Sequence, residues 1–153
     1  MTILLNSILI VDDDAGVRIM LSSILNDGGY LVEAVENGKK AIKACEEPTF
    51  DVALIDIELP DVEGTELLNR LKKMQPKVIR IIITGHPSME SAMKAVNESA
   101  DGYMLKPFEV TELLAMIARL LNERTNEYLH ISAEVTLARE NTLTVKYQRP
   151  DQW

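Results

Sequence analysis

Hydrophobic and polar residues alternate along residues 1–124 in blocks that predict strands and helices by turns. Short apolar runs bounded by polar or turn-forming residues are typical of strands that are covered on both faces of a sheet. Such runs predict five strands, at 8–11, 30–35, 52–55, 78–83 and 103–105. After each strand, apolar residues recur at the three- and four-residue spacing of a helix face. This repeat predicts an α/β fold, a doubly wound five-stranded parallel sheet with helices on both faces.

Residues that favour helix ends mark the limits of these helices. Asp14 is a suitable N-cap for the first helix, and Gly28-Gly29 is typical of its C-terminal end. Asn37-Gly38 predicts the turn into the second helix. The predicted fourth helix covers about 87–96, and the fifth runs from about Glu109 to Glu123. The spacing also predicts the inner face of the third helix, formed by Leu67, Leu68 and Leu71.

The pattern changes after residue 124, and we therefore divide the chain into a domain, 1–124, and a C-terminal tail, 125–153. Apolar residues within 131–137 and 143–147 alternate with polar ones, which predicts two strands of a β-hairpin with a turn at 139–141. The alternative for the tail is a linker to a missing output domain.

The apolar face of such a hairpin needs a partner surface. An isolated two-stranded hairpin is marginal in water, because it buries too little apolar surface to offset the ordering of its backbone. Met116 and Leu120 form a second apolar stripe on the fifth helix, which we expect to be exposed. This stripe favours a homodimer joined beside that helix.

Composition and charge narrow the class of protein. The chain has 153 residues, of which 46% are hydrophobic and 26% charged, and this is typical of a globular domain. The net charge of −8 disfavours direct nucleic-acid binding by this chain. A single cysteine, Cys45, excludes an internal disulfide and suits a reducing compartment. No segment approaches the roughly 20 apolar residues that span a membrane, so we expect a cytoplasmic protein.

Polar residues follow four of the predicted strands at their carboxyl ends. Asp12-Asp13 follows the first strand, Asp56 the third, Thr84 the fourth and Lys106 the fifth. Open parallel sheets bind their ligands outside the carboxyl ends of the strands, so we expect these groups to converge around Asp56. Carboxylates without histidine or cysteine partners suit Mg²⁺ or Mn²⁺ better than zinc.

This set of groups is suited to phosphoryl transfer. An ionised Asp56 beside a bound cation is a nucleophile that can take a phosphoryl group as an acyl phosphate. The cation and Lys106 would neutralise the phosphoryl oxygens, and the Thr84 hydroxyl would donate a hydrogen bond to one of them.

Four segments of the chain resemble a known family, the receiver domain of two-component response regulators. The resemblance covers residues 7 to about 122 and implies the flavodoxin-like receiver fold. The matching segments are Ile8–Asp14, Leu54–Pro60, Thr84–His86 and Leu105–Phe108. Each segment alone is a weak signal, but all four in order and at compatible spacing are a strong one.

The resemblance implies a role for each site residue. Asp56 is the expected phospho-acceptor. Asp13 is expected to bind Mg²⁺ directly and Asp12 largely through water, while the backbone carbonyl of Glu58 completes the metal shell. The resemblance also implies that Thr84 and Tyr103 are a switch pair and that Lys106 binds the phosphate. It further implies a cis peptide bond before Pro107.

The function that follows is a phosphorylation-dependent signalling switch. The resemblance implies a sensor histidine kinase as the phosphoryl donor. A downstream protein or output domain would then bind the face formed by the predicted helix at 87–96, the strand at 103–105 and the last helix. Such a domain catalyses only its own phosphorylation and dephosphorylation, so it is not an enzyme that turns over a substrate.

Three other functions are consistent with part of the pattern. An aspartyl-phosphate phosphatase or phosphotransferase on a similar fold would use Glu58, two residues after the nucleophile, but it gives Asp12-Asp13 no role. A receiver-like scaffold that takes no phosphate is disfavoured because the set of site residues is intact. A nucleotide-binding fold is disfavoured because the sequence has neither a dinucleotide fingerprint nor a phosphate-binding loop.

Overall fold

The computed structural model describes residues 5–85 and 100–141, which include all five predicted strands. The strands are β1 (Ser7–Val11), β2 (Leu31–Val35), β3 (Val52–Asp56), β4 (Ile79–Thr84) and β5 (Gly102–Leu105). They form one parallel sheet in the order β2-β1-β3-β4-β5. The predicted fold class is confirmed, and each strand boundary lies within one residue of its prediction.

Four helices lie within the described residues: α1 (Ala15–Asp27), α2 (Gly38–Ala44), α3 (Gly64–Met74) and α4 (Val110–Asn141). The helix predicted at 87–96 lies outside the described residues. None of the described helices is long and apolar enough to cross a membrane. The chain divides into two compact units, Met1–Ala118 and Arg119–Trp153.

The core lies against the central strands. Residues 8–11, 52–55 and 79–84 are all buried, because β1, β3 and β4 have a neighbouring strand on each side and are covered on both faces. The edge strands β2 and β5 are partly exposed. The predicted inner face of α3 is confirmed, since Leu67, Leu68 and Leu71 are at most 1% exposed.

The predicted ends of α1 and the predicted start of α2 are also confirmed. The Asp14 side chain accepts a hydrogen bond from the backbone N–H of Val17 at the start of α1. That helix ends at Gly28, and the following Gly29 has a φ of +92°, a conformation that glycine adopts without strain. Asn37 caps α2 by accepting from the backbone N–H of Lys40.

The predicted β-hairpin is wrong over 131–141, because these residues belong to α4. No glycine or proline interrupts the chain between Pro107 and Pro150, so nothing in the sequence stops the helix that begins at Val110. Tyr128, Ile131 and Val135 also have the three- and four-residue spacing of a helix, which a short alternating pattern conceals. The second predicted strand, 143–147, lies outside the described residues, and the domain boundary after residue 124 remains a prediction.

The predicted exposed stripe on the last helix is wrong as well. Leu120 is only 9% exposed, and Met116 is half-buried. The reason is the helical period, which places Leu120 on the same face as the fully buried Leu113 and Ile117.

A buried glutamine holds the connection between α2 and β3. Gln75 is 7% exposed, and its Oε1 accepts a hydrogen bond from the backbone N–H of Phe50 at 2.8 Å. Its Nε2 donates to the carbonyls of Cys45 and Pro48 at 3.1 and 2.7 Å. One side chain therefore satisfies three backbone groups of this loop. The neighbouring Cys45 thiol is buried. Its burial, and to a smaller extent the charge of Glu33, raises the pKa of the thiol to about 11.

We predict that Gln75→Leu destabilises the protein strongly. The change keeps an apolar side chain in place but leaves one backbone donor and two carbonyls without these partners, so we expect the free energy of unfolding to fall by at least about 2 kcal/mol. Urea unfolding measures this loss. Lys72→Leu, an exposed change on the adjoining helix α3, is the control and should alter stability by no more than about 0.5 kcal/mol. Equal stability of the two variants would contradict the role of Gln75.

Candidate functional site

The carboxyl ends of the adjacent strands β1, β3 and β4 meet at one edge of the sheet. Asp12 and Asp13 follow β1, Asp56 is the last residue of β3, and Lys106 follows β5. One carboxylate oxygen from each of the three aspartates lies within 4.8 Å of the other two. The convergence expected from the sequence is therefore present in the fold.

The three carboxylates differ in exposure. Asp12 is buried, Asp56 is half-buried and Asp13 is exposed, so the group opens to solvent on the Asp13 side. Carboxylates this close repel one another, and a cation between them relieves the repulsion. Because all three donors are oxygens, the group fits a hard divalent cation such as Mg²⁺.

Lys106 supplies positive charge on the inner side of the same group. Its Nζ lies 2.9 Å from Asp12 Oδ2 and 3.4 Å from Asp56 Oδ2. The Lys106 backbone N–H also donates to the carbonyl of Thr84 at 2.8 Å, which ties the end of β5 to the end of β4. The peptide bond between Lys106 and Pro107 is cis, as the family resemblance implies.

Burial and charge act in opposite directions on the two central groups. Burial raises the pKa of the Asp56 carboxyl, although the Glu58 N–H and the Lys106 charge oppose the rise. For Lys106, burial alone would lower the pKa, but the hydrogen bond to Asp12 and the charge of Asp56 outweigh it, so the pKa is raised. The ammonium is therefore retained at neutral pH, where it partly neutralises both carboxylates.

Backbone contacts hold Asp12 in place. Its Oδ1 accepts from the backbone N–H of Asp14 at 2.9 Å, and its own N–H donates to the carbonyl of Val35 at 3.1 Å. The guanidinium of Arg18 donates to the Asp12 carbonyl at 2.8 Å. We did not predict this role for Arg18 from the sequence. The only signal for it is its place on the first turn of a helix that starts beside the site.

The loop after Asp56 is held in a similar way. The Glu58 backbone N–H donates to Asp56 Oδ1 at 3.0 Å, which orients that carboxylate. Glu58 also forms an isolated antiparallel bridge with Glu63. That its carbonyl binds the metal remains a prediction.

The predicted switch residues lie on β4 and β5. Thr84 is the last residue of β4 and is 1% exposed, at the same sheet edge as the carboxylates. Tyr103 lies beside Ile82 in the β4–β5 register, and its side chain is 48% exposed. Their roles as a switch pair remain predictions.

The comparison with protein families identifies the class of protein. Residues 8–118 match the response regulator receiver domain family, and this match covers more than half of the chain. The chain therefore belongs to that family and is a receiver domain of two-component signalling.

A curated relative and two solved structures support this assignment. The DNA-binding transcriptional regulator NtrC of Proteus hauseri is 36% identical over 112 residues, which are 73% of this chain and 24% of that protein. This chain therefore spans about a quarter of the length of that relative. A CheY-like receiver domain protein of Methanospirillum hungatei is 39% identical, with a TM-score of 0.75, over 80% of this chain and 98% of that one. The response regulator TrrA of Thermotoga maritima, solved in complex with Mg²⁺-BeF, is 29% identical, with a TM-score of 0.69, over 76% of this chain and 99% of that one.

We predict that Lys106→Met raises the pKa of the Asp56 carboxyl further. The ammonium favours the ionised form of Asp56, so its loss leaves only the Glu58 N–H to oppose burial and the charge of Asp12. Carbon-detected NMR titration of the aspartate carboxyls in metal-free buffer measures the change. Lys72→Met, which removes an exposed lysine elsewhere, should leave the titration of Asp56 as it is in the wild type. An unchanged or lowered Asp56 pKa in Lys106→Met would contradict the electrostatic role of Lys106.

Proposed function

We propose that this chain is a phosphorylation-dependent switch that accepts a phosphoryl group on Asp56 from a sensor histidine kinase. The observation that carries the proposal is the convergence of three carboxylates and the Lys106 ammonium at one edge of the sheet. Mg²⁺ is the proposed cofactor, and Mn²⁺ can replace it because it prefers the same ligands. Asp13 would bind the metal directly, Asp12 largely through water, and Glu58 through its backbone carbonyl.

In the proposed reaction Asp56 is the nucleophile. One of its carboxylate oxygens forms an O–P bond while the N–P bond of the phosphohistidine in the kinase breaks, and the bonding electron pair stays on the histidine nitrogen. Lys106 Nζ, 3.4 Å from Asp56 Oδ2, places positive charge beside the transferred oxygens. The Thr84 hydroxyl donates a hydrogen bond to one of them. A bound Mg²⁺ supplies further positive charge to the same oxygens.

The signal would leave the site through Thr84 and Tyr103. When the Thr84 hydroxyl turns toward the phosphoryl group, the exposed Tyr103 ring moves inward beside it and changes the surface around β5. A downstream protein or output domain would bind the surface that includes β5 and the start of α4. In this proposal the chain catalyses only its own phosphorylation and dephosphorylation. We also propose a cytoplasmic location for it, because it must meet the histidine kinase there.

The alternative, an aspartyl-phosphate phosphatase or phosphotransferase, is less well supported. It gives no function to Asp12, which is buried and 2.9 Å from Lys106 Nζ. Because the NtrC relative is named as a DNA-binding transcriptional regulator, we also propose that this chain regulates such an output when it is part of a longer protein. With its net charge of −8, the chain itself is not expected to bind nucleic acid.

We predict that Asp56 is the single phosphorylated residue and that the reaction requires Mg²⁺ or Mn²⁺. Incubation with a small-molecule phosphodonor should add one phosphoryl group to the wild type, measured by intact mass. Asp56→Asn, which keeps the shape of the side chain but removes the nucleophilic carboxylate, should gain no mass, and nor should the wild type in excess chelator. Asp51→Asn, directly before β3 and at the other end of that strand from Asp56, is the control and should react like the wild type. A full mass gain in Asp56→Asn would refute the proposal.

We also propose that a second copy of this chain covers the end of α4. In the unit 119–153, the described residues form a helix that continues to Asn141, with Tyr128 and Leu129 41% and 62% exposed. Most of the stability of a helix in a protein comes from packing of its apolar face against another element. Pairing of two copies would bury the apolar residues and stabilise both helices.

A charge on the apolar face tests the predicted homodimer. Tyr128→Glu should shift the molar mass measured by light scattering from dimer to monomer at a given concentration. Asn126→Glu adds the same charge at an exposed position of the same helix, and it should leave the mass of the wild type unchanged. A wild type that is monomeric across the concentration range would contradict the homodimer.

A further inference from the structure

The N-terminus of α2 has all four of its first backbone N–H groups satisfied. The first four N–H groups of a helix have no partner within the helix, so other groups must accept from them. Asn37 accepts from two of them, through its side chain from Lys40 and through its carbonyl from Ala41. The other two, of Gly38 and Lys39, donate to the two carboxylate oxygens of Asp61, both at 2.9 Å.

Asp61 comes from a different part of the chain from the helix that it contacts. A helix is ordinarily capped by the residue that precedes it, and Asn37 already occupies that position here. Asp61 lies instead in the loop between β3 and α3, which begins directly after Asp56. The two hydrogen bonds from Gly38 and Lys39 therefore join that loop to α2, and the N–H groups of Lys39 and then Gly38 lower the pKa of the Asp61 carboxyl.

The loop that carries Asp61 is closed at its base. The Gly64 N–H donates to the carbonyl of Ile57 at 3.2 Å, and Glu58 bridges to Glu63. A Cβ added at Gly64 would lie 2.7 Å from the Cα of Ile57, so the two ends of the loop are in close contact. These contacts close residues 58–63 into a short loop, so a restraint on Asp61 also restrains Glu58.

The tip of the loop packs directly on the start of α2. A Cβ added at Gly38 would overlap the side chain of Val62, so only glycine allows this approach. Val62 is half-buried and packs against the hydrophobic core. The contact between the loop and α2 is therefore a packed one with two charge-assisted hydrogen bonds at its edge.

The same contact connects the two halves of the carboxylate group. On one side, α2 follows β2, whose last residue, Val35, accepts a hydrogen bond from the backbone of Asp12. On the other side, the loop begins at Asp56, whose carboxylate accepts from the Glu58 N–H. Asp61 joins these two paths by hydrogen bonds, beside the packing of Val62 on Gly38.

We infer that Asp61 is a positioning residue for the cation site, because it fixes the loop that carries Glu58 relative to Asp12 and Asp13. The inference rests on the proposed function, in which these residues bind Mg²⁺. Asp61 itself contacts no member of the carboxylate group among the described hydrogen bonds. It restricts the distance between the ligands that follow β1 and β3. Because these ligands are already ordered, Mg²⁺ binding has a smaller entropic cost.

Asp61→Asn tests this inference in the full chain. An amide offers one acceptor oxygen in place of two and no negative charge, so one of the two hydrogen bonds is lost. We expect the dissociation constant for Mg²⁺ to rise by about tenfold, the lower end of the loss found when residues that orient metal ligands are changed. Backbone amide NMR shifts during titration with MgCl₂ measure it without any phosphoryl transfer.

Two controls separate positioning from simpler effects. Glu63→Gln removes the same charge from the same loop, but Glu63 makes no side-chain capping hydrogen bond, so Mg²⁺ affinity should stay within about twofold of the wild type. Asn37→Ala removes the other side-chain cap of α2 and should lower the melting temperature while Mg²⁺ binds as in the wild type.

The outcomes distinguish this inference from the proposed function. Wild-type affinity in Asp61→Asn, or an equal loss of affinity in Glu63→Gln or Asn37→Ala, would overturn the positioning role and leave the proposed function standing. A wild type whose amides do not respond to MgCl₂ would overturn the proposed function, and the role of Asp61 with it.

Discussion

The structure depends on holding three carboxylates and one ammonium together at the carboxyl edge of a buried sheet. One oxygen from each of Asp12, Asp13 and Asp56 lies within 4.8 Å of the others, an arrangement that is unfavourable without positive charge. Lys106 provides part of that charge from β5, and its own raised pKa shows that the carboxylates favour its charged form. The remaining negative charge is what makes this edge suited to a divalent cation.

A rigid frame is needed to keep these charges close, and the central strands provide it. β1, β3 and β4 are buried except at Ser7 and Asp56, so their carboxyl ends are fixed relative to one another. The connections between strands and helices are then tied down by polar side chains that satisfy backbone groups, as Gln75 does for the α2–β3 loop and Arg18 for Asp12. The buried strands therefore provide the stability, while the loops at their carboxyl ends hold the reactive side chains.

The start of β4, at the other end of the strand from Thr84, contains a second buried charged residue besides Asp12. Arg80 is 4% exposed, and burial lowers its pKa while the nearby Asp101 opposes this shift. Its backbone N–H and that of Asp101 each donate to the other residue, which joins the start of β4 to the segment before β5. Arg80 Nε makes no hydrogen bond within the described residues. This pair anchors β5 far from Thr84, so the two ends of β4 hold β5 by separate contacts.

Local pattern by itself determined the five strands, the caps Asp14 and Asn37, and which strand ends carry the acids, because these features depend on residues close together in the chain. The sequence did not determine the extent of α4, since Ile131 to Leu137 satisfies both a two-residue and a helical period, and the hairpin prediction was wrong over 131–141. Only the tertiary structure showed that Arg18 holds Asp12, that Gln75 serves three backbone groups and that Asp61 joins its loop to α2. Asp61 and Gly38 are 23 residues apart, and contacts at that separation depend on how the packed elements meet, which no local pattern encodes.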